Sequence, residues 1–270
     1  MDIFHFKQFD VAQDRCAMKV GTDGVLLGAL ALSGVPASVL ADPAQSSFRV
    51  LDIGTGTGLI ALMVAQQLHD AACPGFHIDA IEVDPLAALQ AHQNVSASPW
   101  HAYISVHAMS LQQFVVQGPQ NLTTSQPQNL PQNLTTLQPY NLIISNPPFY
   151  NATLKPDDEA RAVARHKDSL PLSQIMQCAQ SLLLSDGELR LIYPTDYDAE
   201  VMTQAVLAGL HPVHIWDVLT KVGKPCKRRI TAFCPTFGSV RTETLAIRDA
   251  SGLYTDAYRL LTDAFYTSLR

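Results

Sequence analysis

The sequence predicts an α/β fold, a mostly parallel sheet with helices on both faces and an antiparallel pair of strands late in the chain. Three observations predict it. Short apolar runs of strand length alternate with longer segments of helical periodicity from Thr22 onward. A cluster of glycines, "GTGTG" at 54–58, joins the first such strand to the next helix. The fourth strand runs into "SNPPF" at 145–149, a stiff, proline-rich end where open α/β sheets place their ligands.

Each element has a local reason. "TDGVLLGALALS" reads as a helix with Thr22 or Asp23 as N-cap. "FRVLDI" (48–53) is a strand, "GLIALMVAQQLH" (58–69) a helix and "HIDAIE" (77–82) a strand. "PLAALQAHQNV" (85–95) opens with proline at the first helical position, where its missing N–H costs nothing. "AYISVHA" (102–108) is a strand, "SLQQFVVQ" (110–117) a short helix and "YNLIIS" (140–145) the fourth strand. A helix over 171–184, a strand over 187–194 and a helix over 198–210 follow. The strand-like runs at 214–220, 228–235 and 243–248 come next, before a closing helix over 254–269.

One stretch breaks this rhythm. "PQNLTT", "PQNL" and "PQNLTT" repeat between 119 and 136, without charge and with regular prolines. Such a segment cannot bury enough apolar surface to order itself, and it reads as a low-complexity insertion over 118–139. The chain is otherwise read as a single domain over 1–270, preceded by an N-terminal segment at 1–47.

Composition narrows the class. Five cysteines form no CxxC pair and no Cys/His ligand pattern, so neither zinc nor a disulfide framework is indicated. The N-terminus lacks the layout of a signal peptide, and "VLLGALAL" is too short to span a bilayer. A soluble, cytoplasmic protein with no membrane partner is expected, and a monomer is favoured. Net charge is −6, yet residues 218–242 carry six basic and no acidic side chains in a chain that is −12 elsewhere. Lys221, Lys224, Lys227, Arg228 and Arg229 are therefore candidates for contact with a polyanion. The competing reading is a solvated hairpin tip. Arg161, Arg165 and Lys167 are the alternative basic group.

The glycine loop departs from the dinucleotide fingerprint, which needs glycine where Leu59 stands. A G-x-G-x-G loop of Gly54, Gly56 and Gly58, preceded by Asp52, suits a ligand without a pyrophosphate, such as S-adenosylmethionine. Glu82 ends the second strand, where a carboxylate can accept both ribose hydroxyls; Asp84 is the fallback for that role.

The two prolines restrict the end of the fourth strand. Pro147 forces Asn146 into extended backbone, and Pro147 and Pro148 together remove two N–H donors from the loop. Acceptors remain. The Asn146 carboxamide oxygen and the Pro147 carbonyl can hold the two hydrogens of an exocyclic amine. Its delocalised lone pair is thereby drawn out toward a methyl sulfonium. Phe149 can stack on the base and fix its plane.

With these residues in view, the chain resembles class I S-adenosylmethionine-dependent methyltransferases carrying an (N/D/S)PP(Y/F/W) motif. The stretches "FKQFDVAQDRCAMKVGTDGVLLGALA", "LDIGTGTGLIALMVAQ", "NVSASPW", "NLIISNPPFY" and "DAYRLLTDAFY" resemble the bacterial tRNA1(Val) (adenine(37)-N6)-methyltransferase family over nearly the whole chain. The resemblance implies a Rossmann-like, seven-stranded sheet, S-adenosylmethionine as methyl donor, tRNA as partner and no metal. It also implies that the N-terminal segment covers the cofactor pocket, giving Lys19, Thr22 and Asp23 a role there. The alternative is a plain N-capped helix. Two departures stand out. The family usually places an acid after the third strand to bond the cofactor's adenine, whereas this chain offers Ser110, and the PQNL insertion has no family counterpart. The same motif could serve DNA adenine, rRNA guanine-N2 or a protein glutamine. A nicotinamide-dependent oxidoreductase would need the missing glycine, and a non-catalytic RNA-binding remnant would not need Gly54, Gly56, Gly58, Glu82 and Asn146 intact.

Overall fold

The computed structural model describes residues 2–40, 47–117, 139–149 and 170–268. The PQNL insertion, all but its last residue, lies outside the described residues, as do Arg161, Arg165 and Lys167. A hairpin, β1 (Ile3–His5) and β2 (Asp10–Ala12), opens the chain and is followed by α1 (Thr22–Ala29) and a single turn, α2 (Ala37–Leu40). The alternating part comprises β3 (Phe48–Ile53), α3 (Leu59–Asp70), β4 (Phe76–Glu82), α4 (Pro85–Ser96), β5 (Ile104–Ala108), α5 (Leu111–Gln117) and β6 (Tyr140–Ser145). Then come α6 (Leu172–Leu182), β7 (Leu183–Pro194), α7 (Asp198–Leu207), β8 (His211–Lys221), β9 (Arg228–Cys234), β10 (Arg241–Arg248) and α8 (Asp256–Thr262).

The strands of the main sheet lie in the order β5-β4-β3-β6-β7-β9-β8-β10. β9 alone runs antiparallel to its neighbours β7 and β8; β10 pairs parallel with β8. The sheet therefore has eight strands, one more than the expected seven, and β10 is the added edge. Every strand of this sheet but β9 ends on one edge, which also receives the β8–β9 turn. Two apolar clusters cover the faces. One gathers α1, α3 and Tyr258 of α8 around Val50, Ile78 and Ile144; the other gathers Phe114, Ile175, Met176 and Val201 around Leu51, Ile143 and Leu189.

Two features of the helices differ from expectation. α1 begins at Thr22 with Gly21 as its N-cap and no side-chain cap, so neither Thr22 nor Asp23 caps it. Its glycines have a packing reason. A Cβ on Gly24 would stand 3.1 Å from Leu59 Cδ2, and one on Gly28 2.7 Å from Met63 Sδ. These two positions, one helical turn apart, let α1 lie against α3 and point its N-terminus toward the carboxyl edge of the sheet. The last helix is shorter than expected, because Thr255 caps it through the Tyr258 N–H and it ends at Thr262.

Candidate functional site

The glycine loop sits between β3 and α3 with Gly54, Gly56 and Gly58 at φ 72°, 57° and 83°, the left-handed region that side chains avoid. A Cβ built on Gly54 or Gly56 meets nothing within 4 Å, so the loop borders open space. At Gly58 it would touch Ala91, so that glycine lies against α4. Asn94 of α4 ties the loop down, donating to the Thr57 carbonyl at 2.8 Å and to the Ala12 carbonyl at 2.9 Å.

Glu82 braces this loop from the next strand. Its Oε2 accepts the Gly56 N–H at 2.9 Å and its Oε1 the Asp84 N–H at 3.0 Å. Each oxygen keeps a further lone pair for a hydroxyl. Asp84 also caps α4, its Oδ1 accepting the Leu86 N–H at 2.9 Å while the side chain stays exposed. Asp52 lies out of a ligand's reach. It is fully buried beneath the loop, where Thr55 Oγ1 donates to its Oδ2 at 2.6 Å while Oδ1 meets no partner. Burial pushes its carboxyl up to about 7, with the Thr55 bond opposing. It has no accessible surface for a ligand and acts by holding the loop.

The end of β6 lies one strand from that loop. Ser145 is register-paired with Ile53, and its hydroxyl donates to the Ile53 carbonyl at 2.8 Å. Asn146 is therefore about 5 Å, one strand spacing, from the start of the loop. Pro147 is buried, Pro148 exposed and Phe149 half-buried. Phe149 makes a tilted pair with Tyr197 at 5.0 Å, beside Tyr193 at 6.3 Å. The Asn146 Nδ2–H donates to Met18 Sδ at 3.7 Å.

Met18 belongs to a strap, residues 13–20, that runs from α4 to the end of β6. Gln90 of α4 holds its start, accepting the Arg15 N–H and donating to Asp14 Oδ1, both at 2.9 Å. Cys16 lies beside Glu82 and Asp84: burial first, then these carboxylates, push its thiol up to about 11. Lys19 forms an exposed ion pair with Asp2 at 2.6 Å, and Asp23 pairs with Arg228 at 2.8 Å. Cys16 and Met18 thus bring the strap to Glu82 and Asn146, while Lys19 and Asp23 are held in ion pairs.

Ser110 caps the next helix. Its Oγ accepts the Gln113 N–H at 3.2 Å and Gln113 Oε1 accepts the Ser110 N–H at 2.9 Å, a reciprocal cap at the start of α5. The S-x-x-Q spacing carries that signal in the sequence.

The basic segment divides into structural and free cations. Arg229 pairs with Asp198 at 2.7 Å and Asp217 at 2.8 Å and is withdrawn from the nucleic-acid candidates. Arg241 pairs with Glu243 at the opposite edge of the sheet. Lys224 and Lys227 are exposed and Lys221 half-buried, all at the edge where Asn146 lies. Among the described residues, no group of three His, Cys, Asp or Glu side chains could hold a metal, and no helix is long and apolar enough to cross a membrane.

No family model matches this sequence. The tRNA1(Val) (adenine(37)-N6)-methyltransferase of Aeromonas hydrophila is 38% identical over 266 residues, 98% of each chain. The chain belongs to the tRNA1(Val) (adenine(37)-N6)-methyltransferase family. The fold agrees. A predicted O-methyltransferase from Agrobacterium tumefaciens superposes with TM-score 0.59 at 17% identity, over 92% of this chain and 99% of its own. A Listeria monocytogenes protein described as a class I S-adenosylmethionine-dependent methyltransferase gives 0.54 at 15%, over 87% and 68%. Within the family's fold, the eighth strand stands beyond the seven-stranded order that the sequence resemblance implies.

Proposed function

We propose that this protein transfers the methyl group of S-adenosylmethionine to N6 of adenine 37 in tRNA1(Val). The observation that carries the reading is the placement of Asn146 one strand from the glycine loop, with the two strand ends pinned by Ser145. The relative's name supplies the substrate.

The residues present fit the methyl donor. Gly54 and Gly56 border open space where a side chain would stand, and Glu82, which accepts the Gly56 N–H, keeps lone pairs for ribose hydroxyls. The strap over Glu82 and Asn146 covers this pocket and limits water there. When bound, the cofactor supplies an electrophilic methyl on a sulfonium. The chain's own part is to prepare the amine. Asn146 Oδ1 and the Pro147 carbonyl accept its two hydrogens, which pulls the nitrogen out of conjugation and exposes its lone pair. Burial of Pro147 and the fixed φ of both prolines hold these acceptors still, so little reorganisation is needed in the transition state. Phe149, backed by Tyr197, offers a ring for the base to stack on. The methylated nitrogen then loses a proton to solvent, since an amide cannot take it.

The test is direct. Purified protein with labelled S-adenosylmethionine and a tRNA1(Val) transcript should yield one N6-methyladenosine, found by nucleoside mass spectrometry. A transcript with guanine at position 37 should yield none. Transfer to DNA, rRNA or protein glutamine, with none to tRNA, would overturn the substrate assignment.

A further inference from the structure

Cations without a carboxylate partner are free to meet an external anion. Lys7, Lys19, Arg49, Arg190, Arg228, Arg229 and Arg241 all have one. Among the described residues, six basic side chains have no carboxylate within ion-pair distance. Arg15 is on the strap; the other five are Lys221, Lys224, Lys227, Arg248 and Arg259. Two of the five come from the tail and reach the end of β8. Arg248 ends β10 in register with Lys221 at the end of β8, and its carbonyl accepts the Val222 N–H at 2.8 Å. Arg259 Nε donates to the Tyr254 carbonyl at 3.2 Å.

The geometry at Arg248 is held in advance. Its guanidinium lies over the Tyr254 ring, 4.2 Å from the centroid, and Nη1 donates to the Gly252 carbonyl at 2.7 Å. Tyr254 is stacked in turn on Tyr258 at 5.2 Å. A guanidinium fixed on a ring face keeps most of its five donors for an incoming oxyanion. Two acids share the stretch. Asp256 is exposed in the first turn of α8, and Asp249 Oδ1 accepts four donors from Ser251, Gly252 and Leu253 within its own turn. Arg248 and Arg259 thus add two cations without a carboxylate partner to Lys221, Lys224 and Lys227, in a chain of net charge −6.

We propose that Arg248, Tyr254 and Arg259 extend the lysines of the β8–β9 turn into a track for the sugar-phosphate backbone of the substrate tRNA. The assignment rests on tRNA being the substrate. β10 stands four strands from β6, roughly 19 Å at ordinary strand spacing. Phosphates held there belong to nucleotides away from the methylated base. The eighth strand thereby gains a purpose: it carries the far end of the track.

The experiment measures full-length tRNA affinity over a salt series for wild type and for Arg248→Gln with Arg259→Gln. Melting temperature and S-adenosylmethionine affinity serve as folding controls. Two lost phosphate contacts should weaken binding about tenfold and flatten the log–log salt slope by about 0.7–0.9 for each. If Arg248→Gln disturbs its turn and lowers the melting temperature, Lys221→Gln with Arg259→Gln gives the same readout without touching it. Unchanged slope and affinity in a folded variant, beside a wild type that methylates tRNA, overturn the track and leave the activity standing. A wild type that methylates no tRNA removes the substrate reading and the track with it.

Discussion

Replacing Glu82 by Gln tests the architecture of the pocket with a change of one atom. The carboxylate accepts two backbone N–H groups, from Gly56 at 2.9 Å and Asp84 at 3.0 Å. Hydrogen bonds to a charged acceptor contribute about 1.5–3 kcal/mol each, and neutral ones about 1. In Gln one oxygen becomes an NH2 that faces a donor, so one of the two N–H groups loses its partner and the other bond weakens. The loss is about 2–4 kcal/mol, and half-exposure of the site favours the lower end. Part of it falls on the folded state and part on the loop conformation that the cofactor needs. At 1.4 kcal/mol per tenfold, S-adenosylmethionine affinity should fall about 10–100-fold. Isothermal calorimetry reads this directly. Asp84→Asn is the control, since asparagine also caps helices well and should leave affinity nearly unchanged. If the Glu82→Gln dissociation constant stays within about twofold of wild type, neither the brace nor a ribose contact matters to binding.

Three further changes probe other parts of the chain. Asn146→Ala should lower turnover by about 10²–10³ while cofactor affinity stays within a few-fold, because the lost acceptor acts on the amine; tRNA methylation near the wild-type rate would refute its role. Gly28→Ala forces a methyl to within 2.7 Å of Met63 Sδ and 3.1 Å of Met63 Cβ, and should cost about 1–3 kcal/mol by lifting α1 from α3; an unchanged melting temperature would show that α1 is not packed as described. Asp79 is buried, which raises its pKa, but hydrogen bonds from His107, His77 and Tyr140 outweigh burial and hold it well below the usual carboxylate range. A lowered folded pKa gives stability that is present above the unfolded value near 3.9 and lost as pH falls below it. Asp79→Asn should therefore destabilise the fold by about 3–5 kcal/mol at neutral pH, Arg49 losing its 2.8 Å partner, and the gap to wild type should narrow below about pH 4 in melting experiments. A gap independent of pH would refute the ionised network.

The features legible in the sequence are those whose signal is local. β3 and β6 were bounded correctly because both are apolar runs stopped by glycine or proline, and the site motifs lie where those runs stop. Gly54, Gly56, Glu82 and Asn146 all end or follow strands of one parallel sheet, so topology alone brings them to one edge. What escaped depends on distant partners. Asn94 and Gln90 look like ordinary polar positions on α4, yet they hold the glycine loop and the strap through bonds to Thr57, Ala12, Asp14 and Arg15. Ser145 reads as the last residue of a strand, and only its neighbour Ile53 reveals the pin. The opening hairpin of β1 and β2 is too short to announce itself and is fixed by Phe6 pairing with Tyr266 at the far end of the chain. Ser110 is the reverse case. Its capping partner Gln113 lies three residues on, so the S-x-x-Q spacing is local and readable.

Charge shows why pairing matters more than counting. The run from 218 to 242 carries six cations in sequence, and three of them are neutralised in the fold by Asp23, Asp198, Asp217 and Glu243. Asp217 and Glu243 flank the run directly, but Asp23 and Asp198 come from α1 and α7, so only the fold reveals the full cancellation. The same folding that removes Arg228, Arg229 and Arg241 brings in Arg248 and Arg259 from a tail that looks acidic in sequence. An anion-binding edge is then defined by what the interior leaves unneutralised. Arg228 links the two halves of this argument: its partner Asp23 stands in the first turn of α1, directly after the strap that reaches Asn146. One exposed ion pair thus joins the start of α1 to the β8–β9 turn. A polyanion that used Arg228 on the proposed track would have to displace Asp23 from that guanidinium.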